Sequence, residues 1–523
     1  MVLCSRCHWQ LSETIRPCLV EGRKPCPACQ EDIELERTIQ ELQEKRRILR
    51  TRMNATHDPF NFKFPPEIAS LIFSLSLEKD DYEPGQSALC KLPTPFLLGS
   101  VSRSWRQLAR STPQLWSTIS FTLVKKKTNA LSPLPFIIDW LQLSGNLPLA
   151  LWIFEDAESS LHWEMRFPVV DALNQHSGRW HKVVFHLDIQ YLRHFRGTDS
   201  PSNLYDLEII NQGGWGWNTY DSPSTYFSMI SKPSPVRLTI DSPLLSGIEI
   251  AWSNVTRLTL RQIQAKECVE AFKLAPLLES CTLSHLNLNR ALRDDDDDDD
   301  LWAPLFSPQP IFRHKCLRKL FLAHTEARSL IGFINVVEFP SLEELSYRLT
   351  YDSGKKGLIP HLKRSGNHLK SLTLLIDDNS KETLDDLIAL FHAVPNLQDL
   401  RCEFFLKYPS YSYCLYPMAD IFNVLSRIPG LLSNLQSLVI YSHCSTGIFD
   451  HVWEYIPKIF SQPHRKLLTL MFEVTDRLHV YRKDLDTVLK LVDEGFDIRI
   501  FECGRDYLQK DRAERTSLPN PPT

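Results

Sequence analysis

Apolar and polar positions along the chain fall into three successive patterns. From Glu31 to Met53, Leu35, Ile39, Leu42, Leu49 and Met53 recur at alternating four- and three-residue steps, with Arg46 in the one non-apolar place. That spacing predicts a helix over residues 31–55. Acidic residues (Glu31, Asp32, Glu34, Glu36) crowd its start and basic ones (Arg46, Arg47, Arg50, Arg52) its end, an order that complements the helix macrodipole. A seam of about three heptads with an arginine in it leaves two readings open: a solvated helix packing on the neighbouring domain, or a homodimeric coiled coil.

In residues 57–121 the apolar positions are those of short helices. Pro65 and Pro66 suit a first helical turn, and Glu67 follows near the positive helix end. Ile68, Leu71, Ile72 and Leu75 then make one broad apolar face. A second helix is predicted from about Phe96 to Arg110, with Leu97, Leu98, Val101, Trp105 and Leu108 on one side. Pro113 ends it and opens a turn that closes on Leu115 and Trp116. Three short helices cannot bury so much apolar surface among themselves, which points to a partner surface.

The ordered motifs of this segment, Pro65-Pro66-Glu67-Ile68, Ile72-Phe73, Val101 with Trp105, and Pro113 with Leu115-Trp116, resemble an F-box, closest to the F-box proteins expanded in mushroom-forming fungi. Phe64 stands where that family usually has Leu, Ser102 where it often has Cys, and residues 79–95 lengthen the first loop. The resemblance implies docking to the Skp adaptor and, through it, to a cullin. It implies that Pro65, Pro66, Ile68, Ile72, Phe73, Val101, Trp105, Leu115 and Trp116 form or support the adaptor surface.

Beyond a basic linker (Lys125, Lys126, Lys127), an apolar-x-x-apolar-x-apolar motif recurs. It occurs at Trp180/Val183/Phe185, Leu204/Leu207/Ile209, Val255/Leu258/Leu260, Leu278/Cys281/Leu283, Leu317/Leu320/Leu322 and Leu342/Leu345/Tyr347. It continues at Leu369/Leu372/Leu374, Leu397/Leu400/Cys402, Leu435/Leu438/Ile440 and Leu467/Leu470/Phe472, with Pro235/Leu238/Ile240 a weaker member. About half of the intervals fit the roughly 20–29 residues of a leucine-rich repeat. Helical spacing fills some of the gaps, as at Leu384, Leu387, Ile388 and Phe391. Stacked units of this kind build a parallel sheet with a continuous core. The usual Asn after each strand is mostly missing, with Gln212, Ile263, Leu286, Asp377 and His443 in its place, so the solenoid is expected to be irregular.

The expected fold class is therefore α/β: a small three-helix module (57–121), then an irregular leucine-rich-repeat solenoid (135–510), preceded by a Cys-rich segment (1–30) and the charged helix (31–55). Residues 511–523 read as a disordered polar tail. Strand positions that alternate with the core line the concave face. Among them Arg237, Arg257, Phe321, Arg348, Arg401, Tyr441 and Met471 are the candidate contacts to a protein substrate. Mixed charge interleaved with apolar groups suits a protein ligand, whereas a nucleic-acid surface would be mainly basic.

Composition agrees. The 523 residues carry 59 basic and 63 acidic side chains, a net charge of -4, so no overall basic field favours nucleic acid or anionic lipid. Leu occurs 77 times against 18 Gly, which favours a packed repeat over a glycine-loop enzyme. No apolar run approaches the roughly 20 residues that span a bilayer, and the first ten residues lack a signal peptide's apolar segment, so a cytoplasmic or nuclear location is expected. Neither G-x-S-x-G, H-E-x-x-H nor a Walker loop occurs, and the expectation is a non-enzymatic protein without a catalytic cofactor.

Five of the 13 cysteines lie within the first 29 residues. Cys4 with Cys7 and Cys26 with Cys29 form two C-x2-C pairs at a spacing suited to one zinc ion, with Cys18 and His8 as spare ligands. Four thiolates leave no open coordination position, so the metal's role would be structural. The cysteine pairs also support an alternative, a zinc-dependent nucleic-acid or chromatin-associated scaffold, which the acidic balance opposes. Asp294 to Asp300 reads as a solvated loop and Gly213 to Trp217 as a turn.

Overall fold

The computed structural model describes residues 27–56, 60, 63–77, 94–123, 134–155, 167–211, 225–241, 245–286, 311–323, 325, 327–349, 354–377, 383–405, 416–442, 452–462, 467, 469–475 and 480–517. Two compact units divide the chain: residues 1–118 with 139–147, and residues 119–138 with 148–523. The linker lysines, the aspartate run, the Gly-Trp insertion and the long loop after Leu77 lie outside the described residues.

The first unit is helical. Helix α1 spans Pro27–Thr56, α2 Pro66–Leu75, α3 Thr94–Val101 and α4 Arg103–Arg110, followed by a 3₁₀ turn at Pro113–Trp116. Pro65 is extended and Pro66 opens α2, where the missing N–H costs nothing. The single helix expected from Phe96 to Arg110 is two. Ser102 is extended (φ -153, ψ 171) and its hydroxyl accepts from the Trp105 N–H at 3.1 Å, which caps α4 and ends α3 one residue earlier.

Two aromatic clusters hold this unit. Phe73 stacks on Phe60 at 5.6 Å, and both rings lie 4.9 Å from Trp105. Trp116 meets Phe96 at 5.3 Å and Trp140 at 5.5 Å, and its indole N–H donates to the Ala109 carbonyl at 2.7 Å. Trp140 lies beyond the 57–121 boundary read from the sequence. Its packing explains why residues 139–147 belong to the helical unit rather than to the array.

The second unit is built on one 15-stranded sheet. Its strands are β1 Thr118–Leu123, β2 Leu149–Glu155, β3 Trp180–Leu187, β4 Asp206–Asn211, β5 Arg237–Asp241, β6 Arg257–Arg261, β7 Ser280–Ser284 and β8 Lys319–Ala323. They continue as β9 Glu344–Leu349, β10 Ser371–Asp377, β11 Asp399–Phe405, β12 Ser437–Ser442, β13 Thr469–Val474, β14 Asp497–Glu502 and β15 Arg505–Asp506. Neighbours in sequence are neighbours in the sheet, pairing is parallel from β2 to β14, and β15 turns back antiparallel on β14. This is the α/β repeat array expected from the motif. Every predicted motif falls on a strand, including the weak one at Leu238 and Ile240.

Alternation fixes which side of each strand is buried. Leu258, Cys281, Leu320, Leu345, Leu372, Leu400, Leu438 and Leu470 are buried and share one register row. Aromatic rings seal them against the helical layer: Phe472 lies 5.8 Å from Phe422 of the helix Tyr416–Arg427 and 5.5 Å from Trp453. At the strand starts each carbonyl accepts two N–H groups of the following repeat. Glu279 takes Arg318 and Lys319, Arg318 takes Glu343 and Glu344, and Glu343 takes Lys370 and Ser371, all at 2.8 to 3.0 Å. No asparagine ladder is needed where Ile263 and Leu286 stand, because both are buried apolar residues placed by left-handed turns at Gln262 (φ 55) and His285 (φ 54).

Close packing shows at Gly366, where a Cβ would lie 2.5 Å from the Ala393 carbonyl oxygen, so no side chain fits without backbone movement. His314 bridges two repeats: its Nε2 meets the Ala275 carbonyl at 3.1 Å and its Nδ1 accepts from the Leu317 N–H at 3.2 Å. The tail expected from Asp511 is helical as far as Ser517. Its charges find partners, Arg512 on Asp493 at 2.5 Å and Arg515 on Asp486 at 2.6 Å. Among the described residues no helix is long and apolar enough to cross a membrane.

Candidate protein-interaction surfaces

Each unit presents a surface, and the local sequence explains both. In the helical unit, α2 buries Ala69 and Phe73 and turns Ile68, Leu71, Ile72 and Leu75 outward, Leu75 with 76% of its area exposed. Leu97 and Val101, one turn apart on α3, are exposed too, Val101 at 57%. A helix of ten residues with apolar groups on both faces satisfies only one of them inside so small a core. Beside these stripes, a shallow hollow of about 470 Å³ is lined by Arg103, Arg106, Gln107, Arg110 and Ser111 of α4 and its end. Arg106 is steadied there by donating from Nε to the Gly99 carbonyl at 2.8 Å.

The residues expected to meet an adaptor thus separate into two groups. Pro65, Pro66, Ile68, Ile72 and Val101 are exposed, and Trp105 is half-buried against Phe60 and Phe73. Phe73, Leu115 and Trp116 are buried at 3% exposure or less and cannot touch a partner; they support the surface from within. Leu71, Leu75 and Leu97 complete the exposed stripes. The helical spacing of Leu71 and Leu75 with Ile68 and Ile72 was the signal for the first two.

In the array the open side of the sheet carries the outward positions in register. One row reads Lys182, Asp206, Arg237, Arg257, Ser280, Lys319, Glu344, Ser371, Asp399, Ser437, Thr469 and Asp497. The next holds Glu208, Thr239, Thr259, Thr282, Phe321, Ser346, Thr373, Arg401, Val439, Met471 and Arg499. Charged residues therefore run along the whole first row, while the second is mostly Thr and Ser from Thr239 to Thr373, broken by Phe321, before Arg401, Val439 and Met471. Arg237, Arg257, Phe321, Arg348, Arg401, Tyr441 and Met471 all lie on this side, and none is buried. The structure groups some and separates others: Arg237 and Arg257 are direct cross-strand neighbours, and Arg401, Tyr441 and Met471 share three adjacent strands.

Charge at the first end centres on Arg261, which is paired in register with Asp241. Partial burial raises the pKa of Glu208 and Asp241, and the Arg261 guanidinium works against that rise in both. His186 is held toward its neutral form by burial and by the same arginine. Glu208 and His186 were not singled out from sequence, since only the strand register brings them beside Arg261. Farther along the sheet, Lys319 and Glu344 pair across β8 and β9 at 2.5 Å, and on β11 Arg401 meets Glu403 at 2.6 Å.

Cys268, Cys281 and Cys402 are fully buried, and burial pushes all three thiols up, Cys402 to about 12, which leaves them protonated and unreactive. Of the four cysteines read as zinc ligands, Cys4, Cys7 and Cys26 lie outside the described residues, and Cys29 falls in the first turn of α1.

No family model matches the chain, and no curated protein does. Among solved structures it is similar to the leucine-rich repeat-containing protein LegL7 from Legionella pneumophila, at 14% identity and a TM-score of 0.30, over 65% of this chain and 89% of that one. It is also similar to a chain from the yeast Rad7 and Elc1 complex, at 13% identity and a TM-score of 0.31, over 94% of this chain and 100% of that one. The repeat architecture itself rests on the strand register described above.

Proposed function

We propose that this chain is a substrate-recognition adaptor of a Skp-cullin-F-box ubiquitin ligase, in which the helical unit docks a Skp adaptor and the open face of the repeat array binds a protein substrate. The observation that carries this reading is the exposed stripe of Ile68, Leu71, Ile72 and Leu75 on α2, at the positions where the sequence resembles an F-box. A patch of this kind on a monomer marks an interaction site. The α4 hollow lined by Arg103, Arg106 and Arg110 adds a basic rim, which suits a partner presenting apolar groups flanked by carboxylates.

The array supplies the second half of the function. Its open face mixes cations, carboxylates, hydroxyls and the exposed ring of Phe321, an anatomy that fits a protein ligand better than a polyanion. No catalytic step is assigned to the chain; its contribution is to hold two proteins together.

Purified Skp-type adaptor titrated against the full chain tests the docking half. Leu71→Asp combined with Val101→Asp is expected to weaken binding at least a hundredfold without lowering the melting temperature, since both side chains are exposed. Undiminished affinity in that variant would remove the adaptor reading.

A further inference from the structure

The seam of α1 is uncovered. Leu35, Ile39, Leu42, Leu49 and Met53 are each about half exposed, from 47% at Met53 to 57% at Leu42, along a helix about 45 Å long. Five large apolar side chains in one line on a solvated helix call for a partner. The charges along α1 say which one.

We propose that α1 pairs with α1 of a second copy of this chain as an antiparallel coiled coil. The seam positions 35, 39, 42, 46, 49 and 53 step by four, three, four, three and four, a sequence that reads the same in both directions. Antiparallel pairing about the midpoint between Leu42 and Arg46 therefore stacks Leu35 on Met53, Ile39 on Leu49 and Leu42 on Arg46 of the second copy, with no layer left over. Each Arg46 then lies across from a leucine, over which its stem can extend while the guanidinium reaches water.

Flanking charge favours the same direction. Antiparallel pairing sets Glu36 of each chain beside Arg50 of the other, at both ends of the coil, so the acidic half of one helix lies on the basic half of its mate. Its one like-charged flanking contact is Lys45 with Lys45 near the midpoint, where both side chains are exposed to solvent. Parallel pairing would instead oppose Arg46 to Arg46 in one layer, Glu31 to Glu36 and Lys45 to Arg50, all like charges. The Arg47–Glu44 ion pair, 2.6 Å apart, sits on the face away from the seam and is unaffected by pairing. Because α1 leads into the helical unit at its C-terminal end, antiparallel pairing carries the two helical units to opposite ends of the coil.

Sedimentation equilibrium of the full chain over a range of concentrations tests this. The parent protein is expected to associate reversibly to a dimer. Glu36→Lys and Arg50→Glu alone should each raise the dissociation constant roughly tenfold, because two favourable contacts become two repulsive ones. Mixing the two variants should restore association as a heterodimer. There the lysine introduced at position 36 of one chain faces the glutamate introduced at position 50 of the other, and the native Glu36–Arg50 pair remains in the second contact. A parallel coil predicts the opposite sign, since Glu36→Lys would then pair with Glu31 and tighten the dimer. A parent that stays monomeric at tens of micromolar, a tightened Glu36→Lys dimer, or a mixture no better than its components would each overturn the proposal.

Discussion

Arg401 on β11 lies over the ring of Tyr441 on β12, 5.9 Å from its centroid, while its Nε meets Glu403 two residues along its own strand at 2.6 Å. An aromatic face and a carboxylate together hold the guanidinium in one place on the open side of the sheet. Such contacts add little to stability at an exposed site, about 0.5–1 kcal/mol for the cation–π part. A cation fixed in advance loses little further freedom when a ligand arrives.

Arg401→Ala and Tyr441→Ala are therefore expected to change the stability of the array by no more than about 1 kcal/mol. Substrate capture should fall at least tenfold in either variant, with the adaptor still bound. Core positions on the same strands behave in the opposite way: Leu400→Ala should cost about 2–5 kcal/mol. A melting temperature that drops as far in Tyr441→Ala as in Leu400→Ala would show that the open face is structural rather than a binding surface.

His361 gives the array a pH dependence. Burial beside Phe339, 5.7 Å away, pulls its pKa down from 6.5 to about 4, with Arg364 adding to the effect. The unfolded chain takes up a proton at this residue below about pH 6.5, whereas the folded chain stays neutral until about pH 4. Stability at this site is thus complete above pH 6.5 and is lost as the pH falls toward 4, by an amount on the order of 3 kcal/mol. Thermal unfolding of the parent and of His361→Leu between pH 7 and 4.5 should show a shallower acid loss in the variant; parallel curves would mean that the imidazole is not held neutral.

The cysteine pairs lead to a metal measurement. One zinc on Cys4, Cys7, Cys26 and Cys29 predicts close to one equivalent of metal per chain prepared under reducing conditions. Cys26→Ser should lose most of it, leave adaptor binding intact and release no thermal stability from the array. Metal-free parent protein would eliminate the site.

How far the sequence could be read follows from the physics of each element. Buried strands were legible because parallel pairing repeats one inward pattern, so Leu345, Leu372 and Leu400 occupy the same place in successive units. Strand β14 went unread because Gly495 stands where the motif has its first apolar residue, and β2 because Pro148 does. Strand β1 was hidden at the end of the helical segment, although Ile119 is buried as the motif would require. The break between α3 and α4 was written in Ser102, whose capping role is local, but an uninterrupted apolar face from Leu97 to Leu108 masked it. Outward residues could be named from alternation. Which of them meet could not, since the contact of Arg401 with Tyr441 and the grouping of Glu208 and His186 about Arg261 depend on register between strands far apart in the chain.

Affinity purification of three forms of the full chain, with quantitative recovery of adaptor, cullin and bound substrate as the readout, tests the two-surface function most directly. The parent is expected to recover all three. The Leu71→Asp, Val101→Asp form should lose adaptor and cullin together while keeping the substrate, and a Phe321→Ala, Arg401→Ala form should lose the substrate while keeping adaptor and cullin. Recovery of neither adaptor nor cullin by the parent, or loss of both activities in either variant, would contradict a chain that joins two proteins through two separate surfaces.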